Sequence, residues 1–92
     1  MDRVREQILT AAIDHYGRGT QWSKAIEELS ELIRALARAD DAENIAEEMA
    51  DVRIMLDQLE IILGTHDQVR RQELAKLQRL NLRLNAATEV GE

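Results

Sequence analysis

Five acidic residues in this chain sit at spacings that could do chemistry. Glu27-Glu28-Leu-Ser-Glu31 and Glu48-Met-Ala-Asp51 are separated by the sixteen residues between Glu31 and Glu48. On a helix, residues three and four apart share a face. Glu28 with Glu31, and Glu48 with Asp51, are therefore two neighbouring carboxylate pairs. Two antiparallel helices could bring both pairs into one oxygen-rich pocket, the donor set that hard divalent cations select. The chain has no Cys, and its two His residues, His15 and His66, lack metal-ligand spacing. Any metal here must be held by oxygen.

The two pairs differ in what else could explain them. On the first segment a solvated charged face suffices, since Lys24 can pair with Glu27 and Glu28, and Arg34 with Glu31. On the second, at 100° per residue, Glu48 falls roughly between Met55 and Leu59, and Asp51 beside Ile62, on a largely apolar side. No Lys or Arg of that helix shares the face, and Arg53 projects elsewhere. A buried carboxylate left alone is costly, so such a group coordinates a metal, finds a base or takes up a proton. A cation, or a base from another helix, has to compensate them.

Further residues could contact an anionic or aromatic ligand. Lys76, Arg79 and Arg83 recur at i, i+3 and i+7, within roughly a 60° arc. They form either a phosphate clamp or a charged face that is solvated or pairs with acids of another subunit. Arg79 and Arg83 repel as like charges four apart, which a nearby anion would relieve. Trp22 either stacks on a nucleobase at the pocket mouth, with Gln21 donating hydrogen bonds and Lys24 beside them, or packs in the core with Ile26 and Leu29. Tyr16 and His15 read as packing or surface residues.

The elements that position these groups are helices. Pro is absent, and Gly occurs only at 17, 19, 64 and 91, so long stretches run without helix breakers. The spacing predicts a first helix over about Asp2 to Tyr16, stopped by Gly17 and followed by the connector Gly17 to Thr20. A second helix over about Gln21 to Ala39 carries the apolar stripe Trp22, Ile26, Leu29, Ile33 and Leu36. Asp40-Asp-Ala-Glu43 resembles a capping box opening a third helix, about Ala42 to Leu63. This helix is apolar over most of its circumference, with Ile54 and Ile61 opposite the stripe of Ile45, Met49, Val52, Leu56 and Leu59, and should be the most buried. Gly64 ends it. Thr65-His-Asp-Gln68 opens a fourth helix to about Asn85, with Leu74, Leu77, Leu80 and Leu84 inward, and residues 86–92 form a frayed tail.

Short connectors favour an up-down arrangement: an all-α, four-helix antiparallel bundle in a single domain spanning 1–92, completed by homo-oligomerisation. Ninety-two residues with one Trp, one Tyr and no Phe build only a thin core, and self-association would supply the missing burial. A formal charge of −6 argues against general nucleic-acid binding, which needs a basic surface. No apolar run is long enough to span a membrane and no signal-peptide pattern opens the chain, so a cytoplasmic location is expected.

The pattern EExxE, a spacer, then ExxD resembles the signature of MazG-like nucleotide pyrophosphohydrolases, the all-α NTP pyrophosphatase superfamily. The similarity extends over Gln21-Trp-Ser-Lys-Ala-Ile-Glu-Glu-Leu-Ser-Glu-Leu32, Asn44-Ile-Ala-Glu-Glu-Met-Ala-Asp-Val52 and Lys76-Leu-Gln-Arg-Leu-Asn-Leu-Arg83, most of the chain from Gln21 to Leu84. Phosphoribosyl-ATP pyrophosphohydrolases often have a His shortly after the last acid, where this chain continues Val52-Arg-Ile-Met-Leu56, so the general MazG-like branch fits better.

The resemblance implies magnesium, or manganese, bound by Glu28, Glu31, Glu48 and Asp51. Glu27 is then the candidate catalytic residue, either a further ligand or a group orienting water. It also implies a nucleoside triphosphate substrate, cleaved to monophosphate and pyrophosphate; the thin core and the nearly all-round apolarity of the third helix separately predict a homodimer or homotetramer. The alternative is a non-enzymatic helical oligomerisation or interaction module, in which acids and bases form structural ion pairs.

Overall fold

The computed structural model describes residues 1–91, with side-chain surroundings through Thr88. The fold is all-α, with α1 over Arg3–Tyr16, α2 over Arg18–Ala37, α3 over Ala42–Leu63 and α4 over His66–Gly91, and no strand among the described residues. Asp2 starts α1 by accepting a hydrogen bond from the Arg5 amide at 2.8 Å, the usual way to satisfy an orphan donor at a helix start.

The expected connector Gly17 to Thr20 shrinks to one residue. Gly17 has φ 94°, a conformation open to glycine. It donates its amide to the Ile13 carbonyl at 2.8 Å, and its own carbonyl accepts from the Gln21 amide at 3.1 Å. One residue thus closes α1 and opens α2. Arg18 then reaches across to donate to the Ile62 carbonyl at 2.6 Å, tying this corner to the last turn of α3.

At its other end α2 stops at Ala37 rather than Ala39. Ala39 has φ 55°, and the Asp40 amide reaches back to the Ala35 carbonyl while the Ala39 amide donates to Leu36, both at 3.1 Å. This is the Schellman pattern with alanine in the place usually held by glycine. The capping box expected at Asp40 is displaced by one residue: Asp41 caps α3 by accepting from the Asn44 amide at 2.8 Å, and Asp40 accepts instead from the Asn44 side chain at 2.8 Å. Gly64, at φ 66°, ends α3 as expected.

α2 and α3 run antiparallel at the centre, as the cross-helix bonds require: Arg18 meets Ile62 and Gln21 donates to Gln58 at 2.8 Å. α1 lies against both, and its Arg5 pairs with Asp57 of α3 at 2.6 Å. The buried apolar residues are Leu9, Ile13, Ala25, Ala35, Val52 and Met55. α3 is less enclosed than expected, for Met49, Ile54 and Leu56 are exposed.

The face that α2 presents to α3 corrects the sequence reading. Gln21, Ala25, Glu28 and Ala35 are buried, whereas Trp22, Ile26, Leu29, Ile33 and Leu36 are 38–66% exposed. The two stripes differ by one residue, a rotation of about 100°. Two alanines at the contact let the helices approach closely, and the bulky stripe is left outside.

α4 departs from expectation in two ways. It continues as helix through Gly91, so the frayed tail expected over 86–92 is helical as far as it is described, and Glu92 lies outside the described residues. Among the described residues it meets only α3, and Leu74, Leu77, Leu80 and Leu84 are 49–59% exposed rather than inward. The chain exposes 7230 Å², roughly a third more than the about 5,400 Å² of a compact monomer of this mass. Its radius of gyration, 16.9 Å, compares with about 12 Å for a compact chain of this length.

Candidate metal centre

The antiparallel pairing of α2 and α3 sets their acids opposite one another. Glu28, Glu48 and Asp51 each offer a carboxylate oxygen, and these oxygens all lie within 4.8 Å of one another. Such a group could hold a metal ion. The three residues are not equally enclosed: Glu28 is 8% exposed, Glu48 is half-buried and Asp51 is exposed.

Glu28 carries the sharpest unmet need. Its Oε1 is 3.1 Å from Lys24 Nζ, while its Oε2 is buried without a hydrogen-bond partner, as is Oε2 of Glu48. Buried polar atoms are almost always paired, so two orphaned carboxylate oxygens in one cluster require an explanation. A cation with oxygen preference supplies one: it would satisfy both atoms and offset the repulsion between neighbouring carboxylates.

The local electrostatics agree with the geometry. Burial pushes the Glu48 carboxyl above the ordinary 4.5, and the charges of Glu31, Asp51, Glu28 and Glu47 push it further. Asp51 is raised above 3.8 first by burial, then by the charge of Glu28 close beside it, with Lys24 opposing. Lys24 is raised above 10.5 chiefly by its hydrogen bond with Glu28, then by the charges of Glu27 and Glu28. Metal-free, the cluster is an excess of negative charge held by one peripheral base.

The remaining candidates are distributed unevenly. Glu31 is half-buried and near enough for its charge to raise Glu48. Glu27 lies outside the converging set, its side chain 3.9 Å from Lys24 and exposed. Lys24 serves as the ion-pair partner of Glu28 and Glu27, but Arg34, expected to pair with Glu31, makes no ion pair among the described residues. Gln21 is buried and its amide is committed to Gln58, a helix-to-helix tie and not a pocket-mouth donor. Trp22 is 46% exposed, outside the core in which its stripe was expected. Tyr16 is exposed with His15 edge-on against its ring, centroids 4.7 Å apart.

Lys76, Arg79 and Arg83 are exposed on α4, which among the described residues does not touch α2. One chain therefore does not bring that stripe to the acids of α2. The bases beside the acids are others: Arg34 and Arg38 line a cleft that also takes in Glu31 and Glu48. Sequence reasoning gave Arg34 to an ion pair and passed over Arg38. Their spacing, i+3 and i+7 from Glu31, was a signal, but only the turn at Ala39 and Asp40 wraps the end of α2 around the start of α3. Among the described residues no helix is long and apolar enough to cross a membrane. Set against known protein families, curated proteins and solved structures, the chain has no match.

Proposed function

We propose that this chain is a magnesium-dependent nucleoside triphosphate pyrophosphohydrolase of the MazG-like kind, working as a homodimer or homotetramer. The observation that carries the reading is the set of carboxylates from Glu28, Glu48 and Asp51, with two buried oxygens unpartnered and Lys24 the one base ion-paired with the set among the described residues. Hard oxygen donors without Cys or His fit magnesium, or manganese, better than softer metals.

When bound, the cation supplies charge neutralisation for a triphosphate and acidifies water in the site. The chain's own groups then have simple tasks. Glu28, Glu31, Glu48 and Asp51 hold the charge in place. Glu27, exposed beside the cluster, orients a water and takes its proton. That water adds to the α-phosphorus, the bond from the α-phosphorus to the bridging oxygen breaks, and pyrophosphate leaves with the electron pair. Positioning and charge stabilisation dominate phosphoryl chemistry, so no Ser, Cys or His nucleophile is required.

Self-association is supported by the large exposed area and by the two uncovered stripes, Trp22 to Leu36 on α2 and Leu74 to Leu84 on α4. Pairing two copies would bury them and complete an antiparallel four-helix bundle. The test of the activity is a panel of ribo- and deoxyribonucleoside triphosphates with magnesium, separating monophosphate, diphosphate, phosphate and pyrophosphate. Monophosphate with pyrophosphate is expected, and diphosphate with phosphate would refute the bond choice.

A helical interaction module is the other reading, and the Lys24–Glu28 pair together with the uncovered leucines favours it. Magnesium titration separates the two, since ion pairs between subunits give no saturable cation binding.

A further inference from the structure

The turn from α2 to α3 forms a polar cleft of about 340 Å³, lined by Glu31, Arg34, Arg38, Asp40, Asn44 and Glu48. Its volume is within the range of small-ligand sites. Glu48 joins two features, because it belongs both to this cleft and to the carboxylate cluster, and its buried Oε2 has no partner. The cleft and the candidate metal centre are thus continuous.

Two features of the cleft remain unbalanced. Arg34 and Arg38 stand one helical turn apart, where like charges repel, and neither makes an ion pair among the described residues, although Glu31 is at pairing distance along the helix from Arg34. Asp40, the acid between them and α3, already accepts from the Asn44 side chain. Two guanidinium groups without carboxylate partners, in a concave site beside an acid cluster, are suited to an anion that a cation also holds. Guanidinium forks match phosphate oxygens in geometry and charge.

We infer that Arg34 and Arg38 form a phosphate-binding site for the pyrophosphate portion of the substrate, the β- and γ-phosphoryl groups that leave together. Glu48 and the rest of the carboxylate cluster would hold the cation beside the anion, and the two arginines would offset the remaining phosphate charge. This assigns the phosphate contact within one chain to the end of α2, separately from the exposed bases of α4. The identity of the anion rests on the proposed triphosphate chemistry, whereas the existence of an anion site does not.

The experiment is calorimetric titration with inorganic pyrophosphate, with and without magnesium, and with magnesium alone. The proteins are the parent, the double variant Arg34→Gln with Arg38→Gln, and the double variant Arg34→Lys with Arg38→Lys. The glutamine variant should bind magnesium as the parent does but lose about tenfold or more in pyrophosphate affinity, the scale of a lost charge-assisted contact. The lysine variant should recover part of the loss, because charge returns without the fork. Circular dichroism melts establish that both variants fold. Pyrophosphate binding that is equal in parent and glutamine variant, or absent from the parent, overturns the arginine site. Arginine-dependent pyrophosphate binding in a protein that takes up no magnesium keeps the anion site and overturns the metal-centre reading instead.

Discussion

Lys24 stands 3.1 Å from Glu28 across one turn of α2, and the contact satisfies only one oxygen of a carboxylate that is otherwise buried. The base is itself half exposed, so water and salt weaken what it can offset. Lys24→Gln removes the one base that is ion-paired with the cluster among the described residues. In EDTA this variant should melt below the parent, because Glu28 then has neither cation nor ammonium beside it. Magnesium should narrow the gap. Equal melting temperatures in EDTA would mean that the cluster does not need Lys24.

The acids also dictate a dependence on pH. Glu48 is held above 4.5 by burial and then by the surrounding carboxylates, so as pH falls the folded state takes up this proton before the unfolded state does. Ionised Glu48 therefore subtracts stability from the metal-free protein at neutral pH, and the loss fades as pH drops through the raised value to 4.5. Glu48→Gln lacks this titration. Urea unfolding in EDTA should show the variant ahead of the parent at neutral pH, with the gap closing on acidification. A gap that is constant with pH contradicts the assignment.

Ala39 offers a test that leaves the acids untouched. Its φ of 55° places a Cβ where left-handed backbone costs a residue about 1–2 kcal/mol, against which glycine sets its greater unfolded-state freedom. Ala39→Gly should therefore stabilise the chain by about 0.5–1 kcal/mol, read from denaturant midpoints at constant slope. A loss of stability would show that the turn between α2 and α3 does not depend on that conformation. This turn also shapes the arginine cleft.

Helix number, type and approximate bounds were legible because helix stops and apolar periodicity are local signals. Gly17 and Gly64 mark their boundaries in the sequence. The acids were legible in the same way: Glu28, Glu48 and Asp51 converge as their spacing within each helix suggested. Rotation about the helix axis was not. Trp22, Ile26 and Leu29 form the more apolar stripe, yet Gln21, Ala25 and Glu28 face α3. Periodicity reveals that a helix has an apolar side but not which neighbour covers it, and in a chain with uncovered apolar surface the two questions separate. The fate of Arg38 was unreadable for a related reason, since a cleft between two helix ends depends on the turn that joins them.

The uncovered stripes make self-association measurable residue by residue. Light scattering at micromolar concentration should give a dimer or larger. Ile26→Gln on α2 and Leu77→Gln on α4 should each shift the mass toward monomer. Both side chains are more than half exposed in the single chain, so the change in intrinsic stability should stay within about 0.5 kcal/mol, as for ordinary surface substitutions. A parent that is monomeric throughout overturns the oligomer, and unchanged mass in both variants moves the interface elsewhere.

Glu48→Gln and Asp51→Asn bear most directly on the metal centre. Both should abolish turnover while leaving the metal-free protein as stable as the parent or more so. The reason lies in the cluster's charge: in each residue burial and neighbouring carboxylates oppose ionisation, and a neutral amide removes that opposition. Magnesium should then reverse the order. A cation that binds only the folded state adds RT ln(1 + [L]/Kd), about 2.7 kcal/mol at a hundredfold excess over Kd, and the variants should forgo most of it. If these acids were instead held by bases, neutralising one would leave a buried partner charge alone, a loss of roughly 3–5 kcal/mol with or without metal. Thermal melts of parent and variants in EDTA and in magnesium distinguish the two. Strong destabilisation of both variants in EDTA, with no gain for the parent on adding magnesium, would sink the metal centre and leave the acids as structural ion-pair partners.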